Sequence, residues 1–236
     1  MAIYHCSIKV ISRGKGKSAV AAAAYRAGEK ITNQFDGMTH DYTHKGGVVH
    51  TEILLPDHAP AEYADRAVLW NEVEKIEKAK NAQLAREIEI SLPRELTREQ
   101  SISLVREYVK RHFVAAGMCA DVCLHDTGGG NPHAHIMLTM RPFDEGGEWG
   151  AKQKKEYILD RDGNKIYDPK KRQYKCKSIP ATDWNEQTKA EEWRAAWARL
   201  CNQTLEQYEH AERIDHRSYE RQGINQIPTV HLGVAA

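Results

Sequence analysis

The stretch HDTGGGNPHAHIMLTM, residues 125–140, gathers metal-ligating side chains in a pattern that an extended chain makes useful. Side chains alternate along a strand, so His133, His135, Met137 and Thr139 share one face. Ala134, Ile136, Leu138 and Met140 share the other, which is wholly apolar and is expected to be the core side. The histidines are thereby turned away from the core. His125 closes the preceding strand, and a hairpin across DTGGGNP sets it about opposite His133, with Cβ atoms roughly 5 Å apart. An HxH pair alone is often two surface histidines; the third imidazole favours metal. Three protein ligands with an open position is the pattern of a catalytic rather than a structural site. The glycine run reads either as a flexible turn or as a loop that lets a bulky substrate approach closely.

A metal with an open position polarises a phosphoryl or carbonyl oxygen, or acidifies a bound water. The chain has no HExxH of a metalloprotease and lacks the HxE and PCxxC pair of a deaminase. GKGKS looks like part of a P-loop, but the first glycine of that motif falls at Ile11. A nucleophile must come from elsewhere, and Tyr25 is the candidate: an activated phenol can form a covalent intermediate with a polarised phosphate. Spacing alone favours reading Tyr25 as a core aromatic, and Tyr4 and Tyr42 are rivals. Glu87 and Glu89, on the polar face of another strand, are candidates to orient a ligand imidazole. The pattern does not choose between them.

Several elements must position these groups. Ile3 to Val10 reads as a first strand and SRGKGK as a loop. Ser18 stands at an N-cap and Gly28 at a C-terminal stop, which bound an alanine-rich helix carrying Tyr25. A pair of short strands is expected in 37–55 around Lys45-Gly46-Gly47, and a helix in 61–83 with Ala64, Ala67, Val68, Val73 and Ile76 inward. Arg86 to Leu92 alternates as a strand with one buried side. Thr97 caps a helix running to about Ala116, and strands follow over 119–125 and 133–140. The DRDGNK turn predicts a hairpin over 156–174. A long helix starts at Asp183 or Asn185 and runs to about Glu212, before a polar tail. The sum is an α+β fold with a largely antiparallel sheet and helices on one side.

With 236 residues, 41% hydrophobic and 28% charged, the chain suits one large globular domain. No apolar run approaches the roughly 18 residues that cross a bilayer, and MAIYHCSIKVIS lacks the order of a signal peptide. A cytoplasmic location is expected. Cys6, Cys119, Cys123, Cys176 and Cys201 form no CxxC pair and are expected to be free thiols. Net charge is only +1, which excludes a general polycation, but 151–177 holds ten Lys or Arg against four Asp or Glu. There Lys152, Lys154, Lys155, Arg161, Lys165, Lys170, Lys171, Arg172, Lys175 and Lys177 lie among Tyr157, Tyr167 and Tyr174. Cations for phosphates and rings for bases are the means of single-strand binders. A solvated lysine-rich hairpin is the plain alternative. Arg13, Lys15 and Lys17, just before the first helix, form a second candidate patch.

Five blocks in order carry a resemblance: MAIYHCSIKVISRGKGKSAVAAAAYRAGE, AREIEISLPREL, GGGNPHAHIMLTMRP, TDWN with a Trp-rich helix, and DHRSYERQGI. Together they span nearly the whole chain, which resembles the MobA/MobL family of plasmid mobilisation relaxases, within the HUH endonuclease class. The resemblance implies a five-stranded antiparallel sheet with flanking helices and a metal on its open face, to which the residues themselves add the basic β-hairpin and the long C-terminal helix. It implies that Tyr25 attacks a scissile phosphate and that His125, His133 and His135 hold one divalent metal ion. Histidines alone suggest zinc, iron or nickel; the family and phosphate chemistry point to Mn²⁺ or Mg²⁺. The implied activity is nicking and rejoining of one strand at an origin of transfer through a 5′-phosphotyrosine. The implied partners are single-stranded origin DNA, accessory relaxosome proteins and a coupling ATPase. Residues 1–236 then form one nicking domain, either complete or the N-terminal part of a longer protein. An HUH replication initiator is the first alternative, although such initiators usually place the tyrosine after the histidines. A single-stranded DNA-binding module without catalysis is the second.

Overall fold

The fold is described by a computed structural model over residues 4–225. The first strand, β1 (Cys6–Ser12), leads through a short 3-10 turn to helix α1 (Ala19–Ala27). The Ser18 side chain accepts from the Ala21 amide, and Gly28 ends the helix in the left-handed region at φ 67°, both as the sequence predicts. Next come β2 (Lys30–Thr32), β3 (Thr39–Asp41), β4 (Val48–Leu54) and α2 (Arg66–Ile76). β5 (Gln83–Ser91), α3 (Arg98–Val109), β6 (Ala120–His125) and β7 (His133–Leu138) follow. A Thr97–Gln100 capping box opens α3. The projecting strands β8 (Gln153–Tyr157), β9 (Tyr167–Asp168), β10 (Gln173–Tyr174) and β11 (Cys176–Pro180) precede helix α4 (Gln187–Gln207).

One antiparallel sheet in the order β1-β5-β7-β6-β4 organises the chain. Its apolar face carries Ile88, Ile90, Val122, Leu124, Ala134, Ile136 and Leu138, all buried against α3 and α4. Tyr108 of α3 packs edge-on against Trp197 of α4 at 5.2 Å and donates to the Trp193 carbonyl at 2.9 Å. The expectation of helices on one side only is corrected. A second cluster, with Val20, Ala24, Leu69 and Trp70 of α1 and α2, covers Ala85, Cys119 and Met137 on the opposite face. That face is apolar at one end and polar at the histidine end, so α1 and α2 cover part of it. Alanines at 19, 23 and 24 leave room for α1 to lie close.

Other expectations change in detail. The strands flanking Lys45-Gly46-Gly47 do not pair with each other: β3 pairs back to β2, while β4 joins β6 in a longer ladder at the sheet edge. The helix expected over 61–83 shrinks to α2, preceded by a 3-10 turn, and Val68 faces solvent while Leu69 and Trp70 face inward. The chain leaves the helix because Glu77 turns inward: its carboxylate meets Arg141 at 2.7 Å and Lys152 at 2.8 Å. The strand expected over 133–140 ends at Leu138. The hairpin also closes differently. β8 pairs with β11, extending the ladder to Pro180, DRDGNK closes only a Leu159–Lys165 bridge, and β9 pairs with β10.

Helix α4 starts later than expected because the Asn185 side chain accepts from Arg86 at 2.6 Å. It ends five residues early, where Asn202 exchanges two hydrogen bonds of 2.8 Å with Ile214 and draws the tail back. All five cysteines are free. The expected start of β1 at Ile3 and the end of the tail, 226–236, lie outside the described residues.

Candidate active site

Strand register brings the three histidines together. His125 of β6 stands opposite His133 of β7, and His135 follows two residues on. Ring centroids lie 5.2 Å apart for 125–133, 4.9 Å for 125–135 and 5.2 Å for 133–135, with one ligand atom from each residue within 4.8 Å of the others. Each ring is oriented by an acceptor. His125 Nε2 lies 2.6 Å from the Arg26 carbonyl, His133 Nδ1 2.9 Å from the Asn131 carbonyl, and His135 Nδ1 3.0 Å from Glu87 Oε1. Carbonyls only accept and an ionised carboxylate only accepts, so the bonded nitrogen carries the hydrogen. The other nitrogen of each neutral ring keeps its lone pair. Burial pushes His125 down to about 4, against the Arg26 hydrogen bond and together with Lys45 and the other two histidines. This donor set fits one divalent cation.

The structure separates the two glutamates. Glu89 is the residue directly opposite His135, but its carboxylate turns to Lys9 at 3.2 Å. Glu87, one diagonal step away, reaches His135 and also takes the Arg26 guanidinium at 2.5 Å. Burial opposes charge on Glu87, yet the bonds from His135 and Arg26 outweigh it and hold the carboxyl down at about 2. Diagonal reach across a sheet depends on rotamer and on neighbours, so alternation did not reveal it.

Arg26 joins this network to the first helix. It follows Tyr25, and both its carbonyl and its guanidinium serve the histidine cluster. Tyr25 itself is 49% exposed on the last turn of α1. Tyr42 packs edge-on to it at 5.2 Å. Lys45 places Nζ 3.9 Å from the ring centre and donates to the Tyr25 carbonyl at 2.9 Å. Tyr4 is remote from this arrangement: it packs on the α3–α4 core and its hydroxyl faces the Arg194 carbonyl at 3.4 Å. Arg26 and Lys45 were missed from sequence, since nothing in their spacing marks them.

The basic residues divide into two groups. Arg13 is consumed internally: its guanidinium meets Glu74 at 2.7 Å and the carbonyls of Glu77 and Ala79. Lys152 is likewise held by Glu77 and by the Gln83 carbonyl at 2.7 Å. Lys177 pairs with Glu156 at 3.2 Å. Lys15, Lys17, Lys154, Lys155, Arg161, Lys165, Lys170, Lys171, Arg172, Tyr174 and Lys175 are exposed. On the projecting ladder Tyr174 packs edge-on to Tyr167 at 5.5 Å, and Lys165 Nζ sits 4.0 Å from the Tyr157 ring centre.

The family model described as the MobA/MobL family matches residues 17–236. A probable mobilization protein MobA from Bifidobacterium longum is 39% identical over 251 residues, covering 100% of this chain and 44% of its own length. A mobilization protein MobL from Acidithiobacillus ferridurans is 40% identical, covering 100% of this chain and 63% of its own. A conjugal transfer protein TraA from Agrobacterium fabrum is 42% identical, covering 100% of this chain and 22% of its own. The chain thus spans less than two thirds of each of these relatives. A solved structure described as the molecular basis of vancomycin resistance transfer in Staphylococcus aureus has a TM-score of 0.79 and 33% identity. It covers 92% of this chain and 100% of the other.

Proposed function

The chain belongs to the MobA/MobL family, and from that membership and the site geometry we propose that it nicks and rejoins one DNA strand at an origin of transfer. The observation that carries the reading is Arg26, which ties the helix bearing Tyr25 to both His125 and Glu87. On this reading the nucleophile and the metal site belong to one unit, joined through Arg26.

In the proposed reaction the Tyr25 hydroxyl oxygen bonds to phosphorus while the bond from phosphorus to the 3′ oxygen breaks. The phenolic proton passes to water, and the leaving oxygen takes a proton to become a free 3′ hydroxyl. A 5′-phosphotyrosine remains, and the reverse attack by a 3′ hydroxyl rejoins the strand. The bond energy kept in the ester lets this proceed without ATP. His125, His133 and His135 would hold one divalent ion, Mn²⁺ or Mg²⁺ on this reading, which supplies positive charge for the phosphoryl oxygens. Glu87 fixes the His135 ring, and Lys45 fixes the backbone and ring of Tyr25. The exposed cations and tyrosines of the β8–β11 ladder would bind single-stranded DNA by charge and stacking.

On this reading residues 1–236 act as one nicking domain in the cytoplasm, with accessory relaxosome proteins and a coupling ATPase completing transfer. Among the described residues no helix is long and apolar enough to cross a membrane. The test is a gel assay of covalent adduct with labelled single-stranded origin oligonucleotides, in Mn²⁺ and in EDTA, beside Tyr25→Phe. An adduct that needs metal and vanishes in Tyr25→Phe is expected. An adduct that persists in the variant gives the chemistry to another tyrosine, with Tyr42 first in line. Firm binding without any adduct would favour the binding-module reading.

A further inference from the structure

Helix α2 supplies neither Tyr25 nor any of the three histidines, but two of its buried side chains, Arg66 and Glu74, grip helix α1 at both ends. At the start of α1 the Ala19 amide donates to Glu74 Oε1 at 2.7 Å, and Arg13 donates to Glu74 Oε2 at 2.7 Å. At its end Arg66 Nη1 donates to the carboxylate of Glu29, the residue after the Gly28 stop. The rest of that guanidinium is fixed to the sheet. Nε and Nη2 each donate to Asp121 at 2.9 Å, and Trp70 Nε1 donates to the same carboxylate at 2.8 Å. Asp121 lies on β6 four residues before His125, and alternation puts the two on one face. The Glu29 carbonyl accepts from the Tyr42 amide at 3.1 Å, and the Tyr42 carbonyl accepts from the Lys45 amide at 2.9 Å. Both residues that pack on the Tyr25 ring therefore hang from Glu29.

A helix tied at one point can pivot about it, whereas ties at separate points fix its direction. The Arg26 carbonyl is the tie nearest Tyr25, and Arg66 supplies another that runs to the same strand. We propose that Arg66 and Glu29 are positioning residues: they set the angle of α1, and with it the placement of the Tyr25 hydroxyl against the histidine cluster. Arginine suits the task, since its planar fork serves two carboxylates at a fixed angle and an ammonium group does not. The inference rests on the proposed nicking function for the reaction it serves, but not for the geometry. Glu29 is the better residue to change. Removing Arg66 strands the buried Asp121 charge and endangers the fold, whereas Glu29 is 42% exposed and its loss leaves Arg66 paired with Asp121.

The test joins two readouts on the full chain. With the metal-free protein labelled with fluorotyrosine, the fluorine resonance that disappears in Tyr25→Phe reports the surroundings of that ring. Glu29→Ala should shift or broaden it, and Glu29→Gln, which keeps an acceptor for Arg66, should return it toward the wild-type position. In single-turnover adduct formation with Mn²⁺ and saturating origin oligonucleotide, Glu29→Ala should be slower on the order of tenfold, with oligonucleotide affinity within a factor of about two. Glu29→Gln should recover most of that rate. A merely structural role would lower the melting temperature and leave the rate and resonance of the folded protein unmoved; circular dichroism melting shows that each variant folds. A folded Glu29→Ala in which either readout keeps its wild-type value overturns the proposal, as does a Glu29→Gln as impaired as Glu29→Ala. If the wild type forms no adduct while the resonance responds as expected, the nicking reading fails and the tie stands.

Discussion

The Arg26 carbonyl accepts a 2.6 Å hydrogen bond from His125 Nε2, so the residue after Tyr25 holds one of the three clustered histidines. The side chain of the same arginine holds Glu87, which holds His135. Helix α1 and the β6–β7 hairpin are therefore coupled by hydrogen bonds as well as by packing. Disturbing either end should be felt at the other.

Arg26→Ala should lower stability by about 2–4 kcal/mol, because it leaves the buried Glu87 carboxylate without its guanidinium partner. Denaturant unfolding gives the measurement. Arg26→Lys should recover part of the loss, since it keeps the charge but not the forked donor. An unchanged midpoint in Arg26→Ala would show that the pair contributes nothing.

Glu87 predicts a pH dependence. Its folded carboxyl titrates near about 2 against an ordinary value of 4.5. Between those values the unfolded chain binds more protons, so stability falls as pH falls. The contribution, about 3 kcal/mol at neutral pH, is fully present above about pH 5 and is lost toward pH 2. Glu87→Gln should flatten that part of the stability curve in the metal-free protein.

The histidine cluster predicts metal binding that calorimetry with Mn²⁺ can follow. His133→Ala and His135→Ala should abolish tight binding, each removing one of the three clustered imidazoles. Glu87→Gln should weaken it by about 10- to 100-fold, the usual effect of losing a group that orients a ligand imidazole. Glu89→Gln, whose carboxylate faces Lys9, should leave it unchanged.

Lys45→Met tests the positioning of Tyr25. Adduct formation in a single turnover should slow on the order of tenfold, while oligonucleotide affinity stays within a factor of about two, because misplacing a nucleophile costs rate rather than binding. An unaltered rate would remove Lys45 from the site.

The two groups of basic residues should behave oppositely. Arg13→Ala should destabilise the fold by about 1–3 kcal/mol through its lost bonds to Glu74 and to the Glu77 and Ala79 carbonyls. Replacing Lys170, Lys171 and Arg172 by alanine should leave melting unchanged and reduce the salt slope for single-stranded DNA by about 2.

Local patterns carried much of this. Ser18 and Gly28 bound α1, Thr97 caps α3, and alternation through His133, Ala134, His135 and Ile136 fixes which way the histidines point. The hairpin rule even placed His125 opposite His133, because a short loop between two strands leaves few registers. Strand pairing beyond the next hairpin was not legible. β4 has neighbours on either side in sequence, and only the assembled sheet decides that it joins β6. Helix ends failed where a side chain distant in sequence intervened, as Arg86 does at Asn185.

The sequence by itself determined the three histidines, their shared face and the capped helix that carries Tyr25, since period and capping are properties of neighbouring residues. Only the tertiary structure decided that Glu87 rather than Glu89 holds His135, that Arg26 joins the helix to the cluster, and that Arg13 and Lys152 are spent inside the fold. Those choices rest on which partners come within about 3 Å, where hydrogen bonds form. Residues tens of positions apart reach that distance only once the sheet and its helices have closed.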